Sequence, residues 1–461
     1  MPDLTKIKTV IMVLMENRSF DHMLGYLSLP PQNRTEVEGQ STDPGWLTRF
    51  TNTDHGQPRT PARSADQYTY ALPPGFDPPH ERINVAAHLG SPQNGSYPMN
   101  GFVSAIPPTV SADPATRALV MSYFGAEQVP MNHFLATHFT ICDHWHCPLP
   151  AGTQPNRLMA MSGVTTIDTN RTILPPQELV YDWLTKRGVT WRVYHQGLPF
   201  FTLMTKWIPE MLGSNHFRPF LALEEDLNNT PPDDMPQVLF IEPTYTDAPH
   251  LGRSTDDHAP SGVSDGQEFL MQAYNAVTTS LDFWRGALMI VTYDEHGGFF
   301  DHVAPPPIAT NPPRPGLYPP LHSLGVRVPA YVVSPFVRPG AVSHLLFDHT
   351  SILKFLGERF GQGSYSAVVD VRPVKSVAEV LESNAVTSPP PAAPALHDYL
   401  SLRPSVPTAT VPNNGTPLEK GFQHAVGEMR RQGADQNHPK FGPLLKQINQ
   451  LPSPGSAGSG S

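Results

Sequence analysis

The chain has 461 residues, of which 39% are hydrophobic, so it can bury a large core in one or two domains. Its net charge is -10, and its 31 lysines and arginines are scattered singly along the sequence. This distribution excludes nucleic-acid binding and disfavours attraction to strongly anionic lipid, because both need a basic surface. No apolar run reaches the ~18 residues of a membrane span, so no transmembrane segment is predicted.

The cysteines and the N-terminus leave the cellular compartment open. Cys142 and Cys147 are the only cysteines, which is too few for a disulfide framework but allows one local bridge. The first apolar run ends at Glu16 and is too short for the hydrophobic region of a secretory signal. We therefore expect no signal peptide in this chain, and the localisation stays unassigned.

The order of apolar runs predicts an α/β fold. Helical spacing of apolar residues begins at Asp265 and recurs over 351–360. Runs rich in β-forming residues predict buried strands at 9–15, 190–194, 237–242, 287–294 and 328–334. Solid apolar strands that alternate with helices are typical of a mostly parallel sheet covered on both faces.

Polar side chains follow two of these strands at once. Glu16 and Asn17 follow the first, and Asp294 and Glu295 end the fourth. Acids at the end of a buried strand cost several kcal/mol of desolvation unless a positive charge sits beside them. A divalent cation is the compact solution, and oxygen ligands favour Ca²⁺, Mg²⁺ or Mn²⁺, with Zn²⁺ and Fe kept open. Taken singly, Glu16 could instead cap a helix and Asp294 could pair with an arginine.

A nucleophile is predicted in "PLPAGTQPNRLMAMSG", residues 148–163. Gly152 permits a tight turn, Pro155 suits the first turn of a helix, and Thr153 is predicted to be the N-cap. An N-cap threonine is ordinarily structural. The same position offers free amides and a positive dipole to a phosphate, and Asn156 and Arg157 could add donors.

Four of these segments together resemble one family, the metal-dependent phosphoesterases that comprise bacterial and plant phospholipases C and the related acid phosphatases. The resembling segments are "ENRSFDH" (16–22), "GTQPNR" (152–157), "YDEHGGFFDHV" (293–303) and "FDHTSILKFL" (347–356). The resemblance implies an alkaline-phosphatase-like α/β/α sandwich, that is, three layers around a mostly parallel central sheet.

The resemblance also implies the roles of the polar residues. Thr153 would be both the nucleophile and a metal ligand, and threonine here is more typical of the phospholipases than of the acid phosphatases. The remaining metal ligands would be Glu16, Asn17, Asp294 and Glu295.

Histidines are the natural proton donors near neutral pH, and the chain has 20. His80 lies in "DPPHERINVAAHL" and His258 in "DDHAP", and both segments resemble family elements, although Asn100 stands where the family often has aspartate. We predict that His80 and His258 contact phosphate and transfer protons, and His195 is a weaker third candidate. His296, His302 and His349 lie inside the resembling motifs and are expected to support the site.

Two segments permit other interpretations. "CDHWHC" (142–147) superficially suggests zinc, but four ligands within six residues would strain the backbone, so a scaffold role is favoured. The apolar stretch 197–223 is more often core, with a lipid-facing rim as the alternative.

Proline is unusually frequent, at 54 residues, and with 34 glycines it predicts long Pro-rich loops. We predict a catalytic phosphoesterase domain over 1–375, a Pro-rich C-terminal extension or small subdomain over 376–450, and a flexible tail over 451–461.

The expected function is a metal-dependent phospholipase C. It would hydrolyse the glycerol-side phosphodiester of a phosphatidylcholine-like lipid through a phosphothreonine at Thr153, with peripheral contact to a membrane surface. The nearer alternative is an acid phosphatase or phosphodiesterase acting on soluble phosphate esters. The more distant alternative is a noncatalytic metal-binding or lipid-binding protein.

Overall fold

The computed structural model describes residues 2–64, 72–73, 75–250, 252–311, 321–386, 388–401 and 415–450. The tail predicted at 451–461 lies outside this range. In the described part of the chain, none of the helices combines the length and the apolar character that spanning a membrane requires.

All five apolar runs of the sequence form strands, and the described residues contain nine further strands of two to five residues each. Their bounds are β1 (Thr9–Met15), β2 (Asn52–Asp54), β3 (Gln57–Arg59), β4 (Ala62–Arg63), β5 (Ser122–Tyr123), β6 (Thr140–Cys142), β7 (Trp191–His195), β8 (Phe217–Pro219), β9 (Val238–Glu242), β10 (Ala287–Tyr293), β11 (Pro307–Asn311), β12 (Leu321–Ser323), β13 (Ala330–Val333) and β14 (Val342–Ser343).

The helices are mostly short, as the abundant prolines lead one to expect. Their bounds are α1 (Phe20–Leu24), α2 (Pro44–Arg49), α3 (Arg82–Leu89), α4 (Pro114–Ala118), α5 (Pro130–His138), α6 (Thr153–Ser162), α7 (Val180–Lys186), α8 (Ile208–Gly213), α9 (Leu223–Asn229), α10 (Ser264–Thr279), α11 (Leu281–Trp284), α12 (Thr350–Phe360), α13 (Ala367–Asp370), α14 (His397–Ser401), α15 (Pro417–Arg431) and α16 (Gly442–Ile448).

One central sheet organises the protein, with the strand order β14-β6-β13-β10-β1-β9-β7-β8. Strand β1 pairs in parallel with both β10 and β9, and β13 alone runs against its neighbours in this sheet. Every residue of β10 is buried, which requires cover on both faces. The expected mostly parallel α/β sheet flanked by helices is therefore confirmed, and the antiparallel β13 is a feature that its apolar sequence did not reveal.

The C-terminal helix α15 packs into the same core as the sheet. Thr416 caps it in a capping box with Glu419, and Pro417 occupies its first turn. Its buried face includes Phe422, which contacts the ring of Phe200. Gly421 lies so close to the loop before α7 that an added Cβ would stand 2.6 Å from the carbonyl oxygen of Thr172.

We predict that Gly421→Ala destabilises the protein by about 1–3 kcal/mol, because the methyl group would push α15 off backbone that cannot yield. The matched control is Gly427→Ala in the same helix, where an added Cβ meets only the end of Arg431, 3.9 Å away. The control should be neutral or stabilising by up to about 1 kcal/mol, because alanine is the better helix former. Urea unfolding measures both, and equal effects would contradict this packing.

Candidate active site

The polar ends of β1 and β10 lie side by side. The two strands are in parallel register with Met15 opposite Tyr293, so the residues that follow them emerge at the same edge of the sheet. The backbone N–H of Asn17 donates to Asp294 Oδ1 over 3.2 Å. Asn17 adopts φ of 60°, a left-handed conformation that asparagine tolerates better than most residues. The predicted convergence of the two motifs is what the structure shows.

Thr153 is the first residue of α6, and its N-cap is Gly152. The predicted N-cap role of Thr153 is therefore wrong by one residue. The correction matters because the hydroxyl is not used for capping. Thr153 is fully buried, and its Oγ1 has no hydrogen-bond partner among the described residues.

Other buried oxygens around the two strand ends also lack hydrogen bonds within the described chain, namely Asn17 Oδ1 and Glu295 Oε1. Glu16 Oε1 has only an ion-pair contact without hydrogen-bond geometry, 3.1 Å from Arg157 Nη2. Leaving such groups buried and unpaired costs about 1–3 kcal/mol each, so they indicate a missing partner. A set made only of carboxylate, amide and hydroxyl oxygens fits a hard divalent cation.

Asp294 belongs to this set but is already engaged. Its Oδ1 accepts from the N–H groups of Asn17 and Glu295, and its Oδ2 accepts from Arg157 Nε over 2.9 Å. Burial, together with the charges of Glu16 and Glu295, raises the pKa of Asp294 well above its usual value despite the opposing effect of Arg157. The pairing with an arginine that the sequence left open is thus present.

Arg157 lies beneath the strand ends. Its guanidinium is 4.4 Å from the ring centre of Phe200 and 5.0 Å from that of Tyr245. Burial alone would lower the pKa of Arg157, but the Tyr245 hydroxyl and the carboxyls of Asp294 and Glu16 raise it. Arg157 is thus held as a permanent positive charge between two acids.

Asn156 closes the turn before α6. Its amide group donates to the carbonyl oxygens of Leu149, Ala151 and Gly152, and its Oδ1 accepts from the N–H of Leu149. The structure gives both Asn156 and Arg157 protein partners, and their predicted contact with phosphate stays a prediction.

His258 lies directly against the cluster. Its Nδ1 is 2.9 Å from Glu16 Oε2 and 3.3 Å from Asp247 Oδ2, and its Nε2 is 3.4 Å from Asp77 Oδ1. Burial would lower the pKa of His258, but Asp77 and Asp247 outweigh it and raise the pKa well above the usual value. His258 is therefore held as a cation.

His80 lies on the other side of the cluster, with its ring centre 5.7 Å from that of His258. Its Nε2 is 3.7 Å from Glu295 Oε1 and 3.5 Å from Asn17 Nδ2. Burial opposes protonation, yet Glu295 and Asp77 raise the pKa of His80 to about 9. The two histidines that the sequence favoured are brought together here.

Asp77 and Asp247 are site residues that the sequence reasoning missed. Asp77 precedes His80 in the quoted "DPPH", so its position could have been found from that segment. Asp247 lies in the loop after β9, another strand that ends at the same edge of the sheet, and accepts from Thr416 Oγ1 over 3.5 Å. This contact ties the beginning of α15 to the histidine cluster.

His195 is placed differently from His80 and His258. Its Nδ1 donates to the carbonyl oxygen of Gly197 over 2.7 Å, and its ring stacks on Phe441 with centres 5.0 Å apart. Burial lowers the pKa of His195 to about 4. None of its described contacts is with Thr153 or the strand-end acids, so its catalytic role stays a prediction.

Two histidines of the motifs, His296 and His349, contact the acids that follow β10. His296 Nδ1 is 3.2 Å from Glu295 Oε2, and His296 Nε2 is 3.1 Å from His88 Nδ1. His349 Nε2 donates to the carbonyl oxygen of Asp294 over 2.8 Å. These contacts orient the acids, as expected for second-layer partners.

The remaining motif histidine, His302, donates through Nδ1 to Asp21 Oδ2 over 2.7 Å. Asp21 and Asp301 in turn accept from the buried Arg327, so this is a closed ion-pair network.

Both alternative segments belong to the scaffold. Cys142 and Cys147 are free and buried, without the local bridge that the sequence allowed. His144 contacts Glu38 while His146 bonds to the carbonyl oxygen of Gly325, so the residues of "CDHWHC" point to different partners. In the stretch 197–223 most apolar side chains are buried, including Phe200 and Trp207. The favoured interpretation of this stretch as core therefore holds for most of it, whereas Leu221 is 90% exposed.

Asp257 is a buried acid next to the site whose protonation depends on whether the chain is folded. Asp257 precedes His258, accepts from the Tyr293 hydroxyl through Oδ2 over 2.7 Å, and bonds through its carbonyl oxygen to Arg18. Burial raises the pKa of Asp257 from 3.8 to about 7 in spite of these partners. Its folded form therefore holds a proton that the unfolded chain would release.

Together these features define a class: α/β proteins with a cluster of buried carboxylate and amide oxygens and a buried helix-start threonine at the carboxyl edge of a mostly parallel sheet. The chain belongs to the phosphoesterase family, whose model matches residues 7–362.

Named relatives support this membership. The chain is 30% identical to phospholipase C B of Mycobacterium tuberculosis (strain CDC 1551 / Oshkosh), over 89% of this chain and 84% of that protein. It is also 30% identical to non-specific phospholipase C1 of Arabidopsis thaliana over 75% of this chain, but spans only 65% of that relative's length. Among solved structures, the phosphonate monoester hydrolase SpPMH from Silicibacter pomeroyi superposes with a TM-score of 0.33 at 11% identity, covering 56% of this chain and 72% of that chain. Similarity at that level assigns no function.

We predict that Arg157→Gln destabilises the cation-free protein by about 3 kcal/mol or more, because it leaves Asp294 buried without its ion-pair partner and leaves Glu16 with His258 alone. The control Arg192→Gln breaks a partly buried pair with Asp226 and should cost less than about 1 kcal/mol, because Arg218 still pairs with Asp226. Denaturant unfolding in the presence of chelator gives both values. Similar losses in the two variants would show that Arg157 is an ordinary ion-pair partner.

A second prediction concerns pH. Because the folded state keeps Asp257 protonated and the unfolded state does not, this residue makes the protein less stable as pH rises from about 4 to about 7. The isosteric Asp257→Asn keeps an acceptor for the Tyr293 hydroxyl. It should remove this pH dependence, which amounts to up to about 4 kcal/mol in the free energy of unfolding between about pH 4 and about pH 7. Urea unfolding of both proteins at several pH values tests this, and parallel stability curves would refute it.

Proposed function

We propose that the chain is a phospholipase C. It hydrolyses the glycerol-side phosphodiester of a phosphatidylcholine-like phospholipid to diacylglycerol and a phosphorylated headgroup, through a phosphothreonine at Thr153. The observation that carries this proposal is the buried, unbonded hydroxyl of Thr153 at the beginning of α6, beside a cluster of unsatisfied oxygens. The two relatives, both named phospholipases C, support the choice of substrate.

The residues that would hold the cation are Glu16, Asn17, Asp294 and Glu295, together with the hydroxyl of Thr153. When bound, a divalent cation would lower the pKa of the Thr153 hydroxyl and neutralise charge on the phosphoryl oxygens. The unsatisfied oxygens among these residues are the reason for the assignment, and their chemistry favours Ca²⁺, Mg²⁺ or Mn²⁺.

The chain's own groups perform the proton transfers and the attack. Thr153 loses its hydroxyl proton to solvent and attacks phosphorus in line as the alkoxide, so that a new O–P bond forms and the bond to the glycerol oxygen breaks; in the second step Thr153 leaves again as the alkoxide. The positive end of the α6 dipole lies at Thr153 and stabilises the phosphoryl oxygens. His258 or His80, both held as cations, gives a proton to the departing diacylglycerol oxygen.

In the second step the neutral histidine takes a proton from water, which attacks phosphorus and releases Thr153. Asp77 and Asp247 hold His258 in place for both transfers.

The second candidate is an acid phosphatase or phosphodiesterase acting on soluble esters. Most of the apolar stretch 197–223 is buried, so this stretch offers little surface for lipid binding. A noncatalytic binding protein is disfavoured, because Thr153 and all four strand-end ligands are present.

We predict that Thr153→Val, which keeps the shape of the side chain but removes the hydroxyl, lowers turnover by about 10³-fold or more. Release of diacylglycerol and phosphocholine from phosphatidylcholine should be measured beside hydrolysis of p-nitrophenyl phosphate, with and without chelator. Thr153→Ser should retain activity, since it keeps the nucleophile. Thr140→Val removes a hydroxyl that bonds to the carbonyl oxygen of Arg338 at the sheet edge, and should behave as wild type.

Turnover that survives both Thr153→Val and chelation would overturn the proposed mechanism. Cleavage of p-nitrophenyl phosphate alone, by the wild-type protein, would reassign the enzyme to the phosphatases.

A further inference from the structure

Two isoleucines stand out from the surface beside Thr153. Ile83 in α3 is 78% exposed, and Ile173 in the loop before α7 is 51% exposed. Single exposed apolar side chains are ordinary on protein surfaces, so exposure alone means little. These two isoleucines are distinguished by their position in the chain. Ile83 follows Glu81 by two residues, Ile173 follows Arg171 by two residues, and both Glu81 and Arg171 lie against a residue next to Thr153 in the sequence.

The first connection runs through the segment before α3. An added Cβ on Gly152 would lie 3.4 Å from both Glu81 Oε2 and the carbonyl oxygen of His80, so this segment covers the turn that presents Thr153. Helix α3 begins one residue after Glu81. Its exposed face carries Ile83, Ala86 and Ala87, at the i, i+3 and i+4 spacing of one helix side.

The second connection runs through Gln154. Its Oε1 accepts from the N–H of Arg171 over 2.6 Å, and its Nε2 donates to the carbonyl oxygen of Arg171 over 2.8 Å. Its own N–H donates to Asn170 Oδ1. Arg171, Thr172 and Ile173 are all exposed. The loop that binds the side chain of Gln154 therefore also exposes an apolar side chain and an arginine to solvent.

The two exposed segments are joined to each other. Arg82 Nη1 lies 2.6 Å from Asp168 Oδ2, and the N–H of Asn170 donates to Glu81. Among the groups that contact His258, Asp77 is the most exposed, with its side chain 30% exposed, so the cluster comes nearest to the surface at this residue. Asp77 and Ile83 belong to the same short segment, 77–83.

We propose that Ile83, Ala86, Ala87 and Ile173 form an interfacial patch that inserts into the surface of a zwitterionic phospholipid bilayer and holds the segment that carries Asp77 against the lipid. The inference rests on the proposed function and adds how the substrate is presented. The net charge of -10 opposes attraction of the protein to anionic lipid. Contact between the apolar patch and the bilayer must therefore provide most of the binding free energy. The exposed guanidinium of Arg171 pairs with lipid phosphate at the edge of the patch.

The test variant is Ile83→Ser combined with Ile173→Ser. The matched control is Leu221→Ser combined with Val371→Ser, which removes two apolar side chains that are 90% and 80% exposed on other segments. Binding is measured by cosedimentation with phosphatidylcholine vesicles, with all proteins carrying Thr153→Val so that no lipid is consumed. Hydrolysis is measured without Thr153→Val, on the same vesicles and on a short-chain phosphatidylcholine dissolved as monomers.

We expect vesicle affinity and the rate of vesicle hydrolysis to fall about tenfold or more in the test variant. The reason is that the variant no longer transfers two isoleucine side chains from water into the bilayer. Its hydrolysis of the monomeric lipid and its melting temperature should equal those of wild type, and the control should match wild type throughout. Unchanged vesicle binding, an equal loss in the control, or an equal loss on monomeric lipid would overturn the patch.

Failure of the proposed function gives a different result. A wild-type protein that cleaves p-nitrophenyl phosphate but neither form of phosphatidylcholine would refute the phospholipase assignment. The cosedimentation needs no turnover, so it still tests the patch in that case. Weaker vesicle binding by the test variant but not by the control would support the patch. A wild-type protein that binds no vesicles would refute the patch.

Discussion

The site depends on one buried cation, the guanidinium of Arg157, held between the acids that follow two neighbouring parallel strands. Strands β1 and β10 deliver Glu16 and Asp294 to the same place because they run in register, and two buried carboxyls cannot stay ionised there without a positive partner. Arg157 supplies that charge from beneath, between the rings of Phe200 and Tyr245. It also fixes α6, which places Thr153 one turn away on the same side of the helix.

Support for this arrangement extends beyond the segment that matches the phosphoesterase family. Phe422 of α15 stacks on Tyr245, with ring centres 5.9 Å apart, and so packs behind the ring that flanks Arg157. Thr416, at the beginning of the same helix, contacts Asp247, which holds His258. The C-terminal segment, predicted as a Pro-rich extension or small subdomain, therefore contacts the site at two points, and its helix packs against Phe200 in the aromatic stretch 197–223.

The sequence predicts the parts of the site that depend on local pattern, and it misses those that depend on contacts between distant segments. Strand β1 agrees with its apolar run residue for residue, and the acids after β1 and β10 had to meet once both strands were in a parallel sheet. The partnership of Arg157 with Asp294 spans 137 residues and leaves no periodic signal. The same holds for Asp247, whose role depends on how the loop after β9 returns to His258. The N-cap was misplaced because glycine and threonine are both acceptable there, and only the hydrogen bonds distinguish them.

We propose that Thr153 carries the phosphocholine headgroup covalently during turnover. A direct test is rapid acid quench of the enzyme with phosphatidylcholine during the first turnover, followed by mass spectrometry of the peptide that contains Thr153. We expect one phosphocholine group on Thr153, formed only with a divalent cation and absent from Thr153→Val. Turnover with no modified peptide, or phosphocholine on another residue instead, would contradict the proposed mechanism.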